Sequence, residues 1–130
     1  MTKKNLINYL FSNFFLGMRK LSGQIICPGK TKVPKDSIVY IQAMECFYDN
    51  HPNILGSITI ESAQSFPILF EILIDETPIL KNCFNGFYLV YVNIERNNKL
   101  IYNNNGTSFV HEHLKLILDN IDVKLNEIKF

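Results

Sequence analysis

The sequence lacks an excess of charge of either sign. Lysine and arginine number 13, and aspartate and glutamate number 12, so the formal net charge at neutral pH is +1. A protein without a strongly basic field has no long-range attraction for nucleic acid or for an anionic membrane surface. We therefore expect no nucleic-acid partner. A chain of 130 residues also favours a single domain.

Cysteine is scarce, and its spacing is not that of a disulfide framework or a zinc site. Cys27, Cys46 and Cys83 are odd in number and far apart, and no Cys-x-x-Cys pair occurs. This pattern favours small buried side chains. One disulfide stays open if the protein is exported, and we predict no cofactor and no metal.

Motifs that carry catalysis are missing as well. The sequence contains no Gly-rich phosphate loop, no Gly-x-Ser-x-Gly turn and no cluster of carboxylates. His111 and His113 would share one face of a strand and could bind a metal with a third ligand, although a solvated edge segment is the simpler interpretation. A nucleophilic cysteine paired with a histidine also stays open, because spatial proximity cannot be read from a sequence. We predict that the protein is not an enzyme.

No apolar run is long enough to cross a bilayer. Residues 1–20 have the outline of a signal peptide, but asparagines interrupt the apolar stretch, and Arg19 and Lys20 follow it. Read as a helix, the segment has apolar side chains at i, i+4 spacing on one face. These are Leu6, Leu10, Phe14 and Met18. We predict an amphipathic helix or a degenerate signal segment over residues 1–20 and one domain over residues 21–130.

What the sequence does contain is alternation with the period of a β-strand. Between Phe66 and Asp75 an apolar side chain occurs at every second position. These side chains are Phe66, Ile68, Phe70, Ile72 and Ile74. Full burial of each contributes roughly 1.5–3 kcal/mol, so the stretch would supply much of the core of a small domain. We predict a central strand with these residues pointing inward.

A second stretch, at residues 87–94, carries large side chains on both faces, which is typical of a strand inside a sheet. One face is predicted to enter the core through Tyr88, Val90, Val92 and Ile94. The dipeptide Asn97-Asn98 after Arg96 then indicates a hairpin into residues 99–102.

Alternation also predicts strands at residues 21–27, 37–46, 55–60 and 121–127, with turns between them. Short strands at this regular spacing are typical of two packed sheets. The predicted fold class is therefore all-β, an antiparallel β-sandwich of about seven to eight strands with a short N-terminal helix.

Some large apolar side chains are left outside this predicted core. They are Phe47, Tyr48, Phe87, Leu89 and Tyr91. Exposed aromatic residues can anchor a protein partner, so we predict these five as candidate partner-binding residues. The simpler interpretation is that they pack under a loop or against the N-terminal helix.

Four segments of the sequence together form a recognisable pattern. They are LSGQI at residues 21–25, VPKDSIV at 33–39, FPILFEILID at 66–75, and the hairpin strands at 88–94 and 99–103. In their order and spacing, these segments resemble the YbaY/YscW family of small bacterial envelope proteins. The resemblance implies a β-sandwich without catalytic residues, commonly carried on an outer-membrane lipoprotein. In the YscW branch it implies a pilotin, which helps a type III secretion secretin reach and assemble in the outer membrane.

Two departures from that family bear on location and on the surface. No lipobox precedes Cys27, so the envelope location stays open and an intracellular location is favoured. Leu69 and Leu73 stand where relatives often have proline, which leaves the outer face of their strand more apolar and better able to pair.

The sequence thus predicts a non-enzymatic β-sandwich that binds another polypeptide, as a pilotin-like chaperone or an envelope accessory protein with a secretin-like partner. One alternative is a carrier that holds a small apolar ligand between its sheets or under the N-terminal helix. An enzyme that uses Cys46, Cys83 or the histidine pair is the third hypothesis.

Overall fold

The computed structural model describes residues 18–46, 52–75, 87–109 and 118–129. The regular structure in these ranges is all β-strand, which confirms the all-β class. The strands are β1 Met18–Ile26, β2 Ser37–Cys46, β3 Asn53–Ile60, β4 Ile68–Asp75, β5 Phe87–Arg96, β6 Lys99–Asn103, β7 Thr107–Ser108, β8 Ile121–Lys124 and β9 Asn126–Glu127. The helix predicted over residues 1–20 falls mostly outside the described ranges.

The described strands form two sheets. The larger sheet has the order β3-β2-β5-β6-β9, with β7 paired to β5, and the smaller sheet has the order β4-β1-β8. Neighbours run antiparallel in the larger sheet and between β1 and β4, but β1 and β8 run parallel. The prediction of a purely antiparallel fold is therefore wrong for β1 and β8. These two strands lie far apart in the chain, so no hairpin turn forces them to run antiparallel.

Gly23 allows β8 to approach β1 closely. Its backbone pairs with Ile121, and a Cβ atom at Gly23 would lie 2.1 Å from the carbonyl oxygen of Ile121. Only a residue without a side chain fits so near another backbone. The glycine of the LSGQI segment is therefore required by the packing of the smaller sheet.

β1 begins at Met18, earlier than the predicted start at residue 21. Lys20 pairs with Leu73 and Leu21 pairs with Ile72, so the ladder with β4 runs through this region. The predicted helix is therefore wrong at Met18, which belongs to β1. Strand pairing is non-local, and local spacing of apolar residues does not report it.

Both sheets contribute apolar side chains to one core. The five alternating residues of the 66–75 stretch are all buried, from Phe66 at 8% exposed to Ile74 at 0%. From β5 the core receives Tyr88, Val90, Val92 and Ile94. The rings of Phe66 and Tyr102 pack edge to face, with centroids 6.2 Å apart. The peptide bond between Phe66 and Pro67, just before β4, is cis.

β4 lies at the edge of the smaller sheet, whereas the sequence predicted a central strand. A period of two reports which face of a strand is buried, but it does not report how many strands lie beside it. β5, by contrast, lies between β2 and β6, as predicted.

The predicted hairpin joins β5 to β6. Arg96 pairs with Lys99, and the two residues between them, Asn97 and Asn98, have φ values of 53° and 61°. Positive φ at both central positions is the conformation of a two-residue type I′ turn, which asparagine tolerates well. The hairpin is therefore confirmed with its expected turn chemistry.

The predicted last strand divides between the two sheets. β8 pairs with β1 and β9 pairs with β6, and the change falls at Leu125, whose N–H donates to the carbonyl of Ile26 at 2.8 Å. Ile121, Val123 and Leu125 are buried throughout, so the alternation continues across the change and does not reveal it.

The opposite edges of the two sheets also come close together. A Cβ atom at Gly56 of β3 would lie 2.4 Å from the carbonyl oxygen of Leu73 in β4. The ladder between β2 and β3 shifts register beside this glycine, between Ala43 and Met44. β3 and β4 on one side, and β8 and β9 on the other, thus join the two sheets around the core.

Candidate protein-binding surfaces

Leu89 and Tyr91, two of the predicted partner-binding residues, lie together on the outer face of the larger sheet. They alternate along β5 with the core residues, so their side chains point away from the core and are half-buried. Leu89 pairs with Met44 of β2, and Met44 pairs in turn with Ile54 of β3. We call this surface the large-sheet patch; it consists of Met44, Cys46, Ile54, Leu89 and Tyr91.

Tyr91 is held within the large-sheet patch by its neighbours. Burial raises the pKa of Tyr91, and Cys46, which is within hydrogen-bonding reach of the phenol, raises it further. The phenol therefore stays protonated at neutral pH and keeps a donor at the surface. An aromatic ring with a polar tip offers a large contact area at a low cost in side-chain entropy.

The rim of the large-sheet patch is formed by the turn at Gly106. This glycine has a φ of 88°, and a Cβ atom there would lie 3.1 Å from Cδ1 of Leu89 and 3.2 Å from Cε1 of Tyr91. A side chain at this position would press on the patch, and it would also be strained by the positive φ.

Asn104, in the run of three asparagines before Gly106, is buried behind that rim. The Val92 N–H donates to Oδ1 of Asn104 at 2.7 Å, and Nδ2 of Asn104 donates to the Val90 carbonyl at 2.9 Å. Nδ2 also donates to Oγ1 of Thr107 at 3.0 Å. The side-chain amide thus replaces a backbone pair beside β5, in the gap between β6 and β7. The run of three asparagines before Gly106 indicates a turn, but it does not indicate which of the three is buried.

Glu45 is a second residue that sequence reasoning missed. It is 1% exposed, because it continues the inward alternation of Val39, Ile41 and Ala43 along β2. Its Oε1 accepts a hydrogen bond from Nδ2 of Asn53 at 3.3 Å, and its Oε2 has no partner in the described part of the chain. The alternation along β2 is enough to predict that Glu45 is buried, although charged side chains are usually exposed.

The other predicted site residues lie wholly or partly outside what the structure describes. Phe87 begins β5, where its backbone pairs with Cys46 at the end of β2. Phe47 and Tyr48 lie outside the described residues. So do Cys83 and all three histidines, His51, His111 and His113. The structure therefore brings Leu89 and Tyr91 together and does not test the others.

The smaller sheet presents a different outer face. Leu69 is 75% exposed and Leu73 is 54% exposed, and both lie on the outer side of β4. Glu71 stands between them, and its Oε2 lies 3.6 Å from Nζ of Lys20. We call this surface the small-sheet face; it consists of the outer side chains of β4, β1 and β8.

A groove of about 330 Å³ opens on the small-sheet face. Its lining consists of Ser22, Gly23, Gln24, Leu69, Phe70, Glu71, Asn120 and Asp122. Nε2 of Gln24 donates to Oδ1 of Asp122 at 2.9 Å across the floor. Leu69, Glu71 and Asp122 of its lining are exposed, whereas Phe70 belongs to the core.

In the ranges that the structure describes, no helix has the length and apolarity needed to cross a membrane. The same residues contain no group of three or more histidine, cysteine, aspartate or glutamate side chains that could hold a metal ion.

Comparisons with known proteins give one informative result. No family profile and no curated protein matches the chain. A solved structure described as an alternative pilotin from the type II secretion system of Vibrio cholerae is similar to it, with a TM-score of 0.70 and 14% sequence identity. The match covers 87% of this chain and 99% of that one. This chain is thus similar in fold to a pilotin, while membership of the YbaY/YscW family stays a prediction.

Proposed function

We propose that the protein is a non-enzymatic accessory protein that binds another polypeptide in the manner of a pilotin. The observation that supports this is the similarity of its fold to the Vibrio cholerae pilotin, which is matched over 99% of its length. The two chains share 14% of their residues, so the likeness is one of fold and the function is carried over as a proposal.

The finer form of the proposal is a β-sandwich of the YbaY/YscW type, whose partner is a secretin-like protein of the bacterial envelope. The structural neighbour is described as part of a type II system, whereas the YscW resemblance implies a type III system. The proposal therefore names a secretin as the class of partner and leaves the secretion type to experiment.

We assign the partner to the large-sheet patch. Its members are half-buried or, at Ile54, 57% exposed, and they form a connected row across β3, β2 and β5. Binding energy in protein interfaces concentrates on a few aromatic and large apolar residues that become fully buried in the complex. Tyr91 and Leu89 have this character, and Asn93, exposed on the same face of β5, begins a polar rim.

The proposal is tested by titration calorimetry of the full chain with soluble segments that tile the secretins encoded in the same genome. We expect one segment to bind with one-to-one stoichiometry. The double substitution Leu89→Gln with Tyr91→Thr should weaken that binding at least tenfold. The matched control, Asn93→Thr on the same face of the same strand, should leave it unchanged.

Two outcomes would contradict the proposal in different ways. If no secretin segment binds, the secretin partner is wrong. If a segment binds and the patch substitutions have no effect, the partner stands and the assigned surface is wrong. Native mass spectrometry of the same protein tests the carrier hypothesis, which a small molecule bound to the 15.1 kDa chain would favour.

A further inference from the structure

A row of uncharged polar side chains crosses the outer face of the larger sheet. Tyr40 of β2 pairs with Thr59 of β3 on one side and with Asn93 of β5 on the other. Asn93 pairs in turn with Asn103 of β6, which pairs with Asn126 of β9. Residues directly opposite each other in antiparallel strands point to the same face, so these five side chains stand in one line across five strands. All five are exposed or half-buried.

A second row lies beside the first, two residues away along the strands. Gln42 of β2 pairs with Ser57 of β3 and with Tyr91 of β5. Ser57 is exposed, while Gln42 and Tyr91 are half-buried. We call these two rows together the polar band. The polar band borders the large-sheet patch and shares Tyr91 with it.

Four side-chain amides of the polar band are available to a ligand. They belong to Gln42, Asn93, Asn103 and Asn126, and none of the four makes a hydrogen bond within the part of the chain that the structure describes. Each amide group offers two N–H donors and a carbonyl acceptor. The two tyrosines of the band lie on adjacent strands and add apolar rings with polar tips.

The two rows of the polar band contain no charged side chain. The outer face of the smaller sheet, by contrast, carries Lys20, Glu71, Asp122 and Lys124. A charged group that leaves water needs an opposite charge or several hydrogen bonds to compensate for its lost hydration. The band offers no opposite charge, so it favours a ligand that is uncharged and rich in hydrogen-bonding groups.

The shape of the polar band favours an extended ligand. Five strands about 4.8 Å apart make it roughly 19 Å long, and two rows make it about 7 Å wide. A stable protein–protein interface buries about 800 Å² on each partner, so the band by itself is too small for a folded domain. An extended peptide gains its affinity at the edge of a sheet by pairing with free backbone groups, whereas the band runs across strands that are already paired.

We propose that the polar band binds a neutral oligosaccharide that lies across the strands of the larger sheet. Sugar hydroxyls both donate and accept hydrogen bonds, and so do the side-chain amides of the band. The C–H face of a sugar ring packs against Tyr40 or Tyr91, while the hydroxyls around that ring reach the amides beside it. The inference does not rest on the proposed function, because Tyr91 alone is shared with the large-sheet patch.

Titration calorimetry of the full chain with three neutral hexasaccharides tests the proposal. The probes are cellohexaose, maltohexaose and N-acetylchitohexaose, whose sugars differ in linkage and in substituents. We expect at least one probe to bind at millimolar concentration or below. Its affinity should not change as salt is raised, because no ion pair forms. A neutral peptide of alternating glycine and serine, of similar length, should not bind.

Two variants of the polar band locate the binding. Tyr40→Thr with Gln42→Thr removes a ring and an amide, keeps residues that favour strands, and should weaken oligosaccharide binding at least tenfold. Asn93→Thr with Asn103→Thr removes two amides and should weaken it by a similar factor. This second variant serves if the first does not fold. The matched control is Leu69→Thr, at a 75% exposed position on the other sheet, which should bind like the parent protein.

Three results would overturn the proposal. One is the absence of binding by all three hexasaccharides, and another is binding that neither band variant changes. The third is binding of the glycine–serine peptide as tight as that of the best oligosaccharide, because the band would then accept any neutral extended chain. If no secretin segment binds, this inference stands. If no oligosaccharide binds, the proposed function stands.

Discussion

At the scale of single residues, the most informative side chain is Asn104. Its amide supplies both an acceptor for the Val92 N–H and a donor for the Val90 carbonyl, as a backbone peptide would. Val92 lies where β6 has ended and β7 has not yet begun, whereas Val90 is paired with Thr107 of β7. Composition identified a turn here, but the burial of one asparagine depends on the strand beside it. Local sequence cannot report that.

We expect Asn104→Ala to destabilise the protein. It leaves the Val92 N–H and the Val90 carbonyl without their side-chain partner, and each buried group left unsatisfied costs about 1–3 kcal/mol. Asn105→Ala, at the exposed neighbouring position, should change the free energy of unfolding by less than about 0.5 kcal/mol. Chemical denaturation of both variants measures the difference. Equal stability of the two variants would show that the buried amide is not a structural element.

We also expect stability to fall in alkaline solution. Burial raises the pKa of Cys27 above its ordinary value of 9.0 and raises the pKa of Tyr91 and Tyr102 above 10.0. Their folded pKa values exceed the unfolded ones, so their contribution to stability is complete below pH 9 and is lost as pH rises through the raised values.

Denaturation measured from pH 7 to pH 11 tests this sign. The free energy of unfolding should begin to fall near pH 9, and in Cys27→Ala the fall should begin nearer pH 10, where the tyrosines of the unfolded chain ionise. A free energy of unfolding that rises with pH over this window would contradict the assigned burial of these groups.

At the scale of elements, alternation predicted which stretches are strands but not which sheet each joins. The predicted strand at residues 37–46 has the bounds of β2, and the predicted hairpin joins β5 to β6. The 66–75 stretch became an edge strand, and the last strand divides at Leu125 between two sheets. Face and period are local properties, whereas pairing and direction depend on residues far away in the chain. The parallel pair of β1 and β8 was unpredictable for the same reason.

The core assignment of β4 makes a direct prediction. Phe70 is 4% exposed and lies at the middle of the buried row. We expect Phe70→Ala to lower the free energy of unfolding by about 3–5 kcal/mol, because the substitution leaves a cavity. Small domains have only about 5–15 kcal/mol in total, so partial unfolding is expected.

The matched control is Leu69→Ala at the adjacent, 75% exposed position, which should be nearly neutral. Melting temperatures of the two variants measure the contrast. If Leu69→Ala were the more damaging substitution, the register of β4 would be reversed.

At the scale of the whole molecule, the two sheets enclose one core and present two unlike outer faces. The larger sheet offers half-buried aromatic and aliphatic residues, while the smaller offers exposed leucines beside a groove whose lining includes Glu71 and Asp122. The sequence anticipated the first face through Leu89 and Tyr91 and noted the apolar character of Leu69 and Leu73. The groove was not foreseeable, because it needs β1, β4 and β8 side by side.

We propose that the protein binds a secretin-like polypeptide on the large-sheet patch. The most direct test of this binding is an NMR titration of the full chain with the secretin segment that binds, following side-chain methyl signals. We expect shift changes at Met44, Ile54 and Leu89, with Leu69 and Leu73 unchanged. Changes confined to Leu69 and Leu73, or no change with any secretin segment, would contradict it.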